Sequence, residues 1–517
     1  MIIKNDFVFI TQEFKELDSV FVKSMNMFRI PLNLHSVREL YKRLQTDELL
    51  ELGKKLRQNY DEKLSLKTLS DTDGDKRLRP YQRVDLAFLR TLPHKAIFNQ
   101  QRTGKTPLTL QLIVEEGHKK TVIVCPSSLK LNWQDEINNW IGYESIIANG
   151  TPTQRAKLYN QFYASSQAIL IISYETLRND ISLFKKAFEC LVLDESHRIR
   201  NIKTKQTKAV NQLGRLADVR IALTGTPAVN HASDVFGILH FLYPKQFPSY
   251  WQFSERYFHV KDGFFGKELG RPKRQSELDE ILQLLSTQRK RKDIMKWIPD
   301  VSTQIIRLEG DKQQLSAYNQ MLKTFEIEQD GKLLVDASSP LAQLTRLRQI
   351  ALYPPLLEIN AKSPKEDFIM DYISDNPNEP IIIYSSFTSY LKVLQGKIAA
   401  ARMVIGEQST LEKQNNVRDF QKGKFNVLLA NIISAGTGFT IDRAETIIYL
   451  DKSFNLIDNE QSADRFIPTL NNGNDKKRTI IELVIKDTVD EKINRLLADK
   501  KSIVELVNTY GIGAILK

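Results

Sequence analysis

The sequence predicts an α/β protein with two parallel sheets, because apolar runs alternate with helical patterns in two separate stretches. Between about residues 76 and 240 the apolar runs are HKAIFN, KTVIVCP, QAILIIS, CLVLDE and VRIALTG. Between about residues 300 and 517 they are PIIIYSS, ARMVIG, FNVLLAN, ETIIYLD and RTIIELVI. Continuous apolar runs of this length are typical of parallel strands buried on both faces, and strand–helix alternation builds such sheets.

Composition divides the chain into four regions. Its 517 residues are too many for one ordinary domain. Residues 1–75 mix strand-like and amphipathic pieces and end in the polar linker SDTDGDK. Residues 76–245 and 301–517 hold the two alternations. We expect residues 246–300 to form a helical, basic connecting insertion, which is aromatic early (FPSYWQFSERYF) and basic late (TQRKRKDIMKW).

Charge and composition narrow the class of protein. A net charge of +12 favours a polyanionic partner such as nucleic acid, although a generically basic enzyme is the alternative. No apolar stretch is long enough for a membrane span, and the N-terminus MIIKNDFVFITQEF is too polar for a signal peptide. Two cysteines cannot form a disulfide framework, so we expect a reducing, cytoplasmic location without a membrane partner.

A candidate nucleotide site begins at the tripeptide Gly104-Lys105-Thr106. The strand candidate HKAIFN precedes it and the helix candidate PLTLQLIVEEG follows it, which is the setting of a phosphate-binding loop. In such a loop Lys105 reaches the β- and γ-phosphates and Thr106 holds Mg²⁺. The general pattern has a glycine five residues before Gly104, where this chain has Asn99.

Two adjacent acids, Asp194 and Glu195, follow the apolar run CLVL. Carboxylates at the end of a strand suit Mg²⁺ chemistry, in which Asp194 would hold the metal and Glu195 would orient or deprotonate the attacking water. A solvated strand end is the alternative interpretation of the pair alone. Its position downstream of a phosphate-loop candidate favours the catalytic interpretation.

These segments resemble the motifs of SWI/SNF-type helicases of superfamily two. The segments LRPYQRVDLAFL, CPSSLKLNWQDEINNW, IISYETLRND, LVLDESHRIRN and LTGTPAVN follow one another in the order of the family. The resemblance continues through PIIIYSSFTSYLKVL, VRDFQKGKFNVLLANIISAGTGFTI and YLDKSFNLIDNEQSADRF. It implies two RecA-like lobes with parallel sheets, residues 76–245 and 301–517, after a small α+β N-terminal domain.

The N-terminal region and the acidic motif point to a branch of the family. The D-E-S-H sequence is similar to that of annealing and fork-remodelling helicases. Residues 1–75 resemble the DNA-substrate recognition module that precedes the motor in annealing helicases, and a helical packing element is the alternative. The short segment KSIVELVNTYGIGAILK after the motor, together with the lack of the long insertions of eukaryotic remodellers, favours a compact bacterial or phage-like motor, which we expect to be a monomer.

The resemblance also implies roles for individual residues, with ATP and Mg²⁺ as cofactors. The catalytic residues would be Lys105, Asp194, Glu195 and Arg465. The nucleotide would be bound by Arg79, Gln82, Thr103, Gly104, Lys105, Thr106, Gly436 and Gln461, with Gln82 reading adenine. DNA would be contacted by Ser127, Ser128, Lys130, Ser173, Tyr174, Thr226, Ser386 and Thr437. Mg²⁺ would be held by Thr106 and Asp194. The family also implies that His197 couples the nucleotide to the turn at residues 224–226, and a core histidine is the alternative.

Two positions depart from the family pattern. Arg102 stands where glycine is usual, so the loop either avoids the conformations that favour glycine or strains the arginine. In the last motif, Pro468 stands where a second arginine is expected. An arginine finger contributes roughly 10³–10⁵ in rate in related chemistry. We expect Arg465 to be the finger, and the basic run at residues 476–478 could supply a substitute.

The predicted function is an ATP-driven translocase on double-stranded DNA that remodels forks or migrates branches, in replication, recombination or repair. The alternatives are an RNA-directed helicase of the same superfamily, a non-enzymatic DNA-binding scaffold with a degenerate motor, and a chromatin- or transcription-linked displacement motor. Every DNA-binding version predicts contacts made mainly with the phosphate backbone and strongly salt-dependent affinity.

Overall fold

The computed structural model describes residues 1–4, 7–14, 20–32, 34–227, 232–263, 266–296, 301–329, 332–337, 339–435, 439, 441–468 and 477–499. The chain separates into two compact units, Met1–Ile294 and Met295–Lys517. Within the described residues, none of the helices combines the length and the apolar character that a membrane span requires.

The N-terminal part of the first unit is a small antiparallel sheet followed by two helices. The elements are β1 (Ile2–Lys4), β2 (Phe7–Ile10), β3 (Val20–Val22), β4 (Met27–Pro31), α1 (Leu34–Leu44) and α2 (Asp47–Lys67). The strand order is β1-β2-β4-β3. Val37, Leu40 and Leu44 recur at helical spacing in α1, and Val37 and Leu40 join the core with Val8 and Ile30. The predicted α+β N-terminal domain is confirmed.

The first unit continues as a seven-stranded parallel sheet. Its strands are β5 (Lys95–Ile97), β6 (Lys120–Cys125), β7 (Ser145–Ile147), β8 (Ala168–Ser173), β9 (Phe188–Leu193), β10 (Ala217–Leu223) and, after a separate hairpin of β11 (Phe258–Gly263) and β12 (Gly266–Pro272), β13 (Ser286–Thr287). The order is β13-β5-β10-β9-β6-β8-β7. Because all neighbours are parallel, the carboxyl ends of the strands share one edge.

Helices cover both faces of this sheet. They are α3 (Pro80–Leu89), α4 (Lys105–Glu115), α5 (Lys130–Trp140), α6 (Pro152–Ala164), α7 (Tyr174–Asp180), α8 (Lys205–Gly214), α9 (Phe236–Leu242), α10 (Tyr250–Tyr257), α11 (Gln275–Leu285) and α12 (Arg291–Ile294). Alternate residues of β6 enter different cores: Val122 and Val124 belong to one, and Ile123 and Cys125 to the other. The apolar runs are therefore continuous because both faces are buried.

The connecting region of residues 246–300 is more varied than its predicted helical character. Besides α10 and α11 it contains the β11–β12 hairpin and the edge strand β13. Neither the hairpin nor β13 is an apolar run, since the first is rich in charged residues and glycine and the second is Ser-Thr. Residues 297–300 lie outside the described part of the chain.

The second unit contains a six-stranded parallel sheet. Its strands are β14 (Val301–Leu308), then, after a hairpin of β15 (Glu326–Gln329) and β16 (Lys332–Asp336), β17 (Ile381–Ser385), β18 (Arg402–Val404), β19 (Val427–Asn431), β20 (Thr446–Tyr449) and β21 (Arg478–Ile485). The order is β14-β21-β20-β17-β19-β18, with parallel neighbours throughout. The helices are α13 (Lys312–Thr324), α14 (Pro340–Leu352), α15 (Pro364–Asp375), α16 (Thr388–Lys397), α17 (Thr410–Gln421), α18 (Ile432–Ala435), α19 (Leu456–Asp464) and α20 (Val489–Ala498). The predicted pair of RecA-like lobes is confirmed.

Candidate nucleotide site

The phosphate-loop candidate joins β5 to α4. Gly104 immediately precedes α4 and has a left-handed backbone, with φ 76° and ψ 46°. A Cβ atom at this position would collide with the Nε2 atom of Gln82. Arg102 also has a positive φ, of 64°. Of the two alternatives, the loop therefore adopts the one in which an arginine takes a conformation that favours glycine.

Lys105 begins α4 and turns its ammonium group back towards the loop. Its Nζ atom donates to the carbonyl oxygens of Asn99 at 3.1 Å and of Gln100 at 3.5 Å. The Thr103 hydroxyl donates to the same Gln100 carbonyl at 2.7 Å. A helix N-terminus carries a partial positive charge and backbone N–H groups that favour an anion. The ammonium group and the start of α4 therefore act at one place, where Thr106 is half-buried in the first helical turn.

Side chains of α3 hold the end of the loop. The Gln82 Nε2 atom donates to the Gly104 carbonyl at 2.9 Å, and its Oε1 atom accepts from the Arg79 backbone N–H at 2.8 Å. The Tyr81 hydroxyl donates to the Thr103 carbonyl at 2.9 Å. Gln82 is buried, and both the oxygen and the nitrogen of its side-chain amide are hydrogen-bonded. In this structure Gln82 therefore fixes the end of the loop.

The two acids follow β9, two strands away from β5 along the same sheet edge. The Asp194 Oδ2 atom accepts from Trp133 Nε1 at 2.9 Å, and its Oδ1 atom accepts from the Glu195 backbone N–H at 2.9 Å. Burial and the neighbouring Glu195 charge raise the pKa of Asp194 to about 6, against the Trp133 hydrogen bond and the charge of Lys105. Two adjacent, half-buried acidic residues make a site that gains from a nearby cation.

A chain of contacts leads from the acids back to the phosphate loop. The His197 Nδ1 atom lies 3.3 Å from the Glu195 Oε2 atom and 3.2 Å from the Thr224 hydroxyl. The turn that follows β10 packs closely, since a Cβ atom on Gly225 would lie 3.0 Å from Gln101 Cγ. Acid, histidine, turn and loop are therefore in continuous contact, which is the arrangement that a coupling role for His197 needs.

The predicted residues of the second unit lie after β17 and at the end of α19. The Asp451 Oδ1 atom accepts a hydrogen bond from the Ser386 backbone N–H at 3.1 Å, and its Oδ2 atom pairs with Arg348 Nη2 at 2.7 Å. Arg465 is half-buried directly after α19, and its guanidinium donates to the Phe439 carbonyl at 3.5 Å. Gln461 is buried in the same helix. The predicted residues Gly436 and Thr437 lie outside the described part of the chain.

Two family models match this chain, and together they cover most of it. A family model described as the SNF2-related domain matches residues 24–356, more than half of the chain. The chain belongs to the SNF2-related family. A second model, the helicase conserved C-terminal domain, matches residues 364–467. The predicted resemblance to SWI/SNF-type helicases is thereby confirmed.

Several named proteins are similar to this SNF2-related chain. An uncharacterized ATP-dependent helicase of Mycoplasma pneumoniae is 25% identical over 468 residues, which cover 84% of this chain and 43% of the relative. The mouse DNA repair and recombination protein RAD54-like is 24% identical, with 86% and 68% covered. The solved SWI2/SNF2 ATPase core of Sulfolobus solfataricus in complex with dsDNA is 22% identical, with 87% and 96% covered and a TM-score of 0.40. This chain spans less than half the length of the Mycoplasma relative.

Two side chains of the SNF2-related chain that were predicted to contact DNA are buried in the structure. Ser173 is 3% exposed and caps α7, where its hydroxyl accepts from the Thr176 backbone N–H at 3.1 Å. Tyr174 is fully buried and donates its hydroxyl to the Asp194 carbonyl at 2.7 Å. Neither side chain is exposed in this structure, and contact of these two residues with DNA stays a prediction. Through this hydrogen bond Tyr174 fixes the backbone at Asp194, the first residue of the acid pair.

Three of the other predicted DNA contacts in the first unit are accessible, whereas the hydroxyl oxygen of the fourth, Thr226, is buried. Ser127 is exposed, and Ser128 and Lys130 are half-buried, in the turn between β6 and α5. The Lys130 ammonium group donates to the Asn149 side chain. Thr226 is half-buried and donates its backbone N–H to the Thr224 hydroxyl at 3.1 Å. Their contact with DNA stays a prediction.

The structure also removes one candidate for a substitute arginine finger. Arg478 is fully buried at the start of β21 and donates to the Ala444 carbonyl. Lys477 is exposed beside it, and Lys476 lies outside the described residues. Arg465 therefore stays the strongest candidate, and Pro468 is buried rather than facing solvent.

The donor set of the first unit fits Mg²⁺ bound together with phosphates. Mg²⁺ is commonly held by one or two carboxylates plus substrate phosphates and water, rather than by a protein cage. In the part of the chain that the structure describes, no group of three or more His, Cys, Asp or Glu side chains is arranged around a metal position. Asp194, with the Thr106 hydroxyl, supplies the small donor set that this mode of binding requires.

Two supporting residues were not found from the sequence. Tyr81 holds the Thr103 carbonyl and Trp133 orients the Asp194 carboxylate. Tyr81 is adjacent to the predicted Gln82, so the motif itself contained the signal. Trp133 lies 61 positions before Asp194, and no local pattern connects the two.

We expect Gly104→Ala to weaken nucleotide binding about tenfold. The left-handed backbone costs an alanine about 1–2 kcal/mol. The loop would relieve this cost by leaving its phosphate-binding conformation, and a shift of about 1.4 kcal/mol away from that conformation weakens the apparent affinity tenfold. The new methyl group would also displace the Gln82 amide that fixes the loop. Titration with a fluorescent ATP analogue and Mg²⁺ measures the change in Kd.

Gly117→Ala is the matched control for this variant. Gly117 has a similar φ of 72°, but a Cβ atom there meets no atom within 4 Å, and it lies beyond the far end of α4. The control should lose stability without losing nucleotide affinity. Equal Kd values for both variants and the unchanged protein would show that the Gly104 conformation is not needed for binding.

Proposed function

We propose that the protein hydrolyses ATP in a DNA-dependent reaction and uses it to move along double-stranded DNA. The observation that carries this proposal is the contact chain in the first unit. It links Lys105 and the phosphate loop, through the turn at Thr224 and through His197, to Glu195. The names of the relatives support the proposal, since the Mycoplasma protein is called an ATP-dependent helicase.

Each residue of the contact chain then has a task. Lys105 and the start of α4 bind the β- and γ-phosphates. Asp194 and Thr106 hold Mg²⁺, which neutralises phosphate charge when bound. Glu195 orients the attacking water and accepts its proton. His197, in contact with both Glu195 and Thr224, couples the state of the acid to the turn. Outside the contact chain, we propose Arg465 of the second unit as the arginine finger.

We propose forked or branched DNA as the preferred substrate, in replication, recombination or repair. The net charge of +12 suits a polyanion, and the mouse relative is named a DNA repair and recombination protein. Backbone phosphates would be bound by the hydroxyl, amide and ammonium groups of Ser127, Ser128, Lys130 and Ser386. Thr226 would join them by turning its hydroxyl, which is buried in this structure, outwards. Thr437 and the N-terminal domain are further proposed contacts.

Phosphate release measured with a panel of nucleic acids tests this function. We expect duplex and forked DNA to stimulate hydrolysis about tenfold or more, and the Lys105→Ala variant to fall to background because the phosphate-binding ammonium is lost. Lys119→Ala is the matched control, since Lys119 is an exposed lysine of the same unit. The salt dependence of DNA binding should be steep.

The alternatives give different outcomes in the same panel. Equal stimulation by single strands would exclude a duplex translocase, and stimulation by RNA alone would indicate an RNA-directed helicase. DNA binding without phosphate release on any substrate would indicate a scaffold with a degenerate motor. Full activity in Lys105→Ala would remove the assignment of the phosphate loop.

A further inference from the structure

The chain at residues 286–291 is built into the phosphate loop. Strand β13 pairs with β5 at the edge of the first sheet. Beyond the strand the pairing continues along the loop: the Phe98 N–H donates to the Thr287 carbonyl and the Gln100 N–H to the Arg289 carbonyl, both at 2.9 Å. The Arg291 N–H in turn donates to the Gln100 Oε1 atom at 2.8 Å. The connecting region is therefore hydrogen-bonded directly to the phosphate loop.

Asn99 is the centre of this contact. Its side chain is 1% exposed. The Nδ2 atom donates to Asp85 Oδ2 at 2.8 Å and the Oδ1 atom accepts from the Arg289 backbone N–H at 3.0 Å. Its own carbonyl accepts from the Lys105 Nζ atom at 3.1 Å. The residue that replaces the first glycine of the general pattern thus joins α3, the connecting region and the phosphate-binding lysine.

Asp85 and Arg289 complete the arrangement. Asp85 is fully buried in α3, and its Oδ1 atom accepts from Arg289 Nε and Nη2 at 2.8 Å each. Burying a carboxylate is costly unless it is paired and hydrogen-bonded. Here both carboxylate oxygens are used, one by Asn99 and one by Arg289. The side chains of Asp85 and Asn99, with the side chain and the backbone N–H of Arg289, form a closed set of hydrogen bonds, named here the Asp85–Asn99–Arg289 latch.

We propose that this latch positions Lys105 and that the connecting region sets the affinity for ATP through it. The proposal rests on the proposed ATPase function. Asn99 holds its own carbonyl against Lys105 only while its side chain is fixed on both sides. Arg289 lies five residues before Ile294, the last residue of the first compact unit, so a change in the chain at that boundary is passed on to Arg291, which contacts Gln100, and then to the latch.

A charge swap within the latch provides a sharp test. Asp85→Asn alone turns an amide N–H₂ towards either Asn99 or Arg289, and Asn99→Asp alone places two carboxylates in contact. In the double variant Asp85→Asn/Asn99→Asp, the new amide donates to the new carboxylate, while Arg289 still finds an acceptor on both partners. Every hydrogen bond of the original latch has an equivalent in the swap, which the single variants lack.

The variants are made in the full chain and compared by two measurements. Titration with a fluorescent ATP analogue and Mg²⁺, without DNA, gives Kd, and steady-state hydrolysis of ATP gives KM and kcat. We expect each single variant and Arg289→Ala to raise Kd and KM about tenfold with kcat at saturating ATP within twofold, and the swap to return both within about threefold of the original. Lys290→Ala removes an adjacent, exposed charge outside the latch and should change neither constant.

The outcomes separate the latch from the ATPase proposal. A merely structural role would lower the active fraction, and hence kcat, without moving KM, and this result would overturn the latch. So would unchanged Kd and KM in Arg289→Ala, or a swap no better than the worse single variant. If the single variants do not fold, the swap still tests the pairing. Absence of ATP binding by the unchanged protein would instead overturn the proposed function.

Discussion

Replacing Glu195 by glutamine is expected to lower the rate of ATP hydrolysis by about 10²–10⁴-fold while nucleotide binding is retained. A positioned general base contributes a factor of this size, and the amide cannot accept the proton of the attacking water. Glutamine has the shape of glutamate and can keep its contact with His197, now 3.3 Å from Glu195 Oε2. Phosphate release at saturating ATP, together with Kd for the nucleotide, measures both halves of the expectation.

Glu175→Gln is the matched control for this experiment. This substitution makes the same change of charge in the same unit. The Glu175 side chain, however, is half exposed and pairs with Arg198 at 3.0 Å on the surface. Such pairs contribute little to stability, so hydrolysis should persist. A Glu195→Gln variant with more than a tenth of the original kcat would assign proton transfer to another group.

The central strands of both sheets could be predicted because their burial is visible in the sequence. Runs such as that of β8, Ala168–Ser173, are apolar at nearly every position because helices cover both faces. Strand β13 gave no such signal. Ser286 and Thr287 are polar but buried at the sheet edge, and what fixes them is pairing with β5, far away in the chain.

Strand β14 shows the opposite case. Val301–Leu308 is longer than most strands of the second sheet, yet several of its residues are exposed because it forms the edge. The mixed sequence VSTQIIRL therefore lacks the continuous apolar run of a buried strand. The exposure of β14, and hence its mixed sequence, depends on the place of the strand in the whole sheet, which a local pattern does not show.

The reactive groups of the site were predictable, whereas their supports were not. Lys105, Asp194 and Glu195 stand in short motifs whose chemistry restricts the residue type. Asn99 looked like a defect of the phosphate loop when read alone. Its partners Asp85 and Arg289 lie 14 and 190 positions away, so only the fold shows that the asparagine makes three contacts at once.

Lys365→Met is expected to lower the free energy of unfolding of the second unit by about 3–5 kcal/mol, the usual cost of breaking a buried ion pair from one side. Lys365 is fully buried, and its Nζ atom donates to Asp490 Oδ2 and to the Leu450 carbonyl, both at 2.6 Å. Methionine fills similar space but leaves a buried carboxylate without its cation. Hydrogen exchange of α15 and α20 measures the loss locally, which avoids assuming that the whole chain unfolds in one step.

Two further variants decide whether the unpaired charge is the cause. Lys365→Met/Asp490→Asn removes both charges, and it should recover much of the loss because an amide oxygen can still accept from the Ile485 N–H, now 3.3 Å from Asp490 Oδ2. Lys392→Met breaks the Lys392–Glu407 pair, whose side chains are 49% and 66% exposed, and should cost less than about 1 kcal/mol. If the double variant is as unstable as Lys365→Met, the loss comes from packing and from the Leu450 carbonyl rather than from the isolated carboxylate. The buried pair would then hold α15 against α20 by shape, and its charge would be incidental to stability.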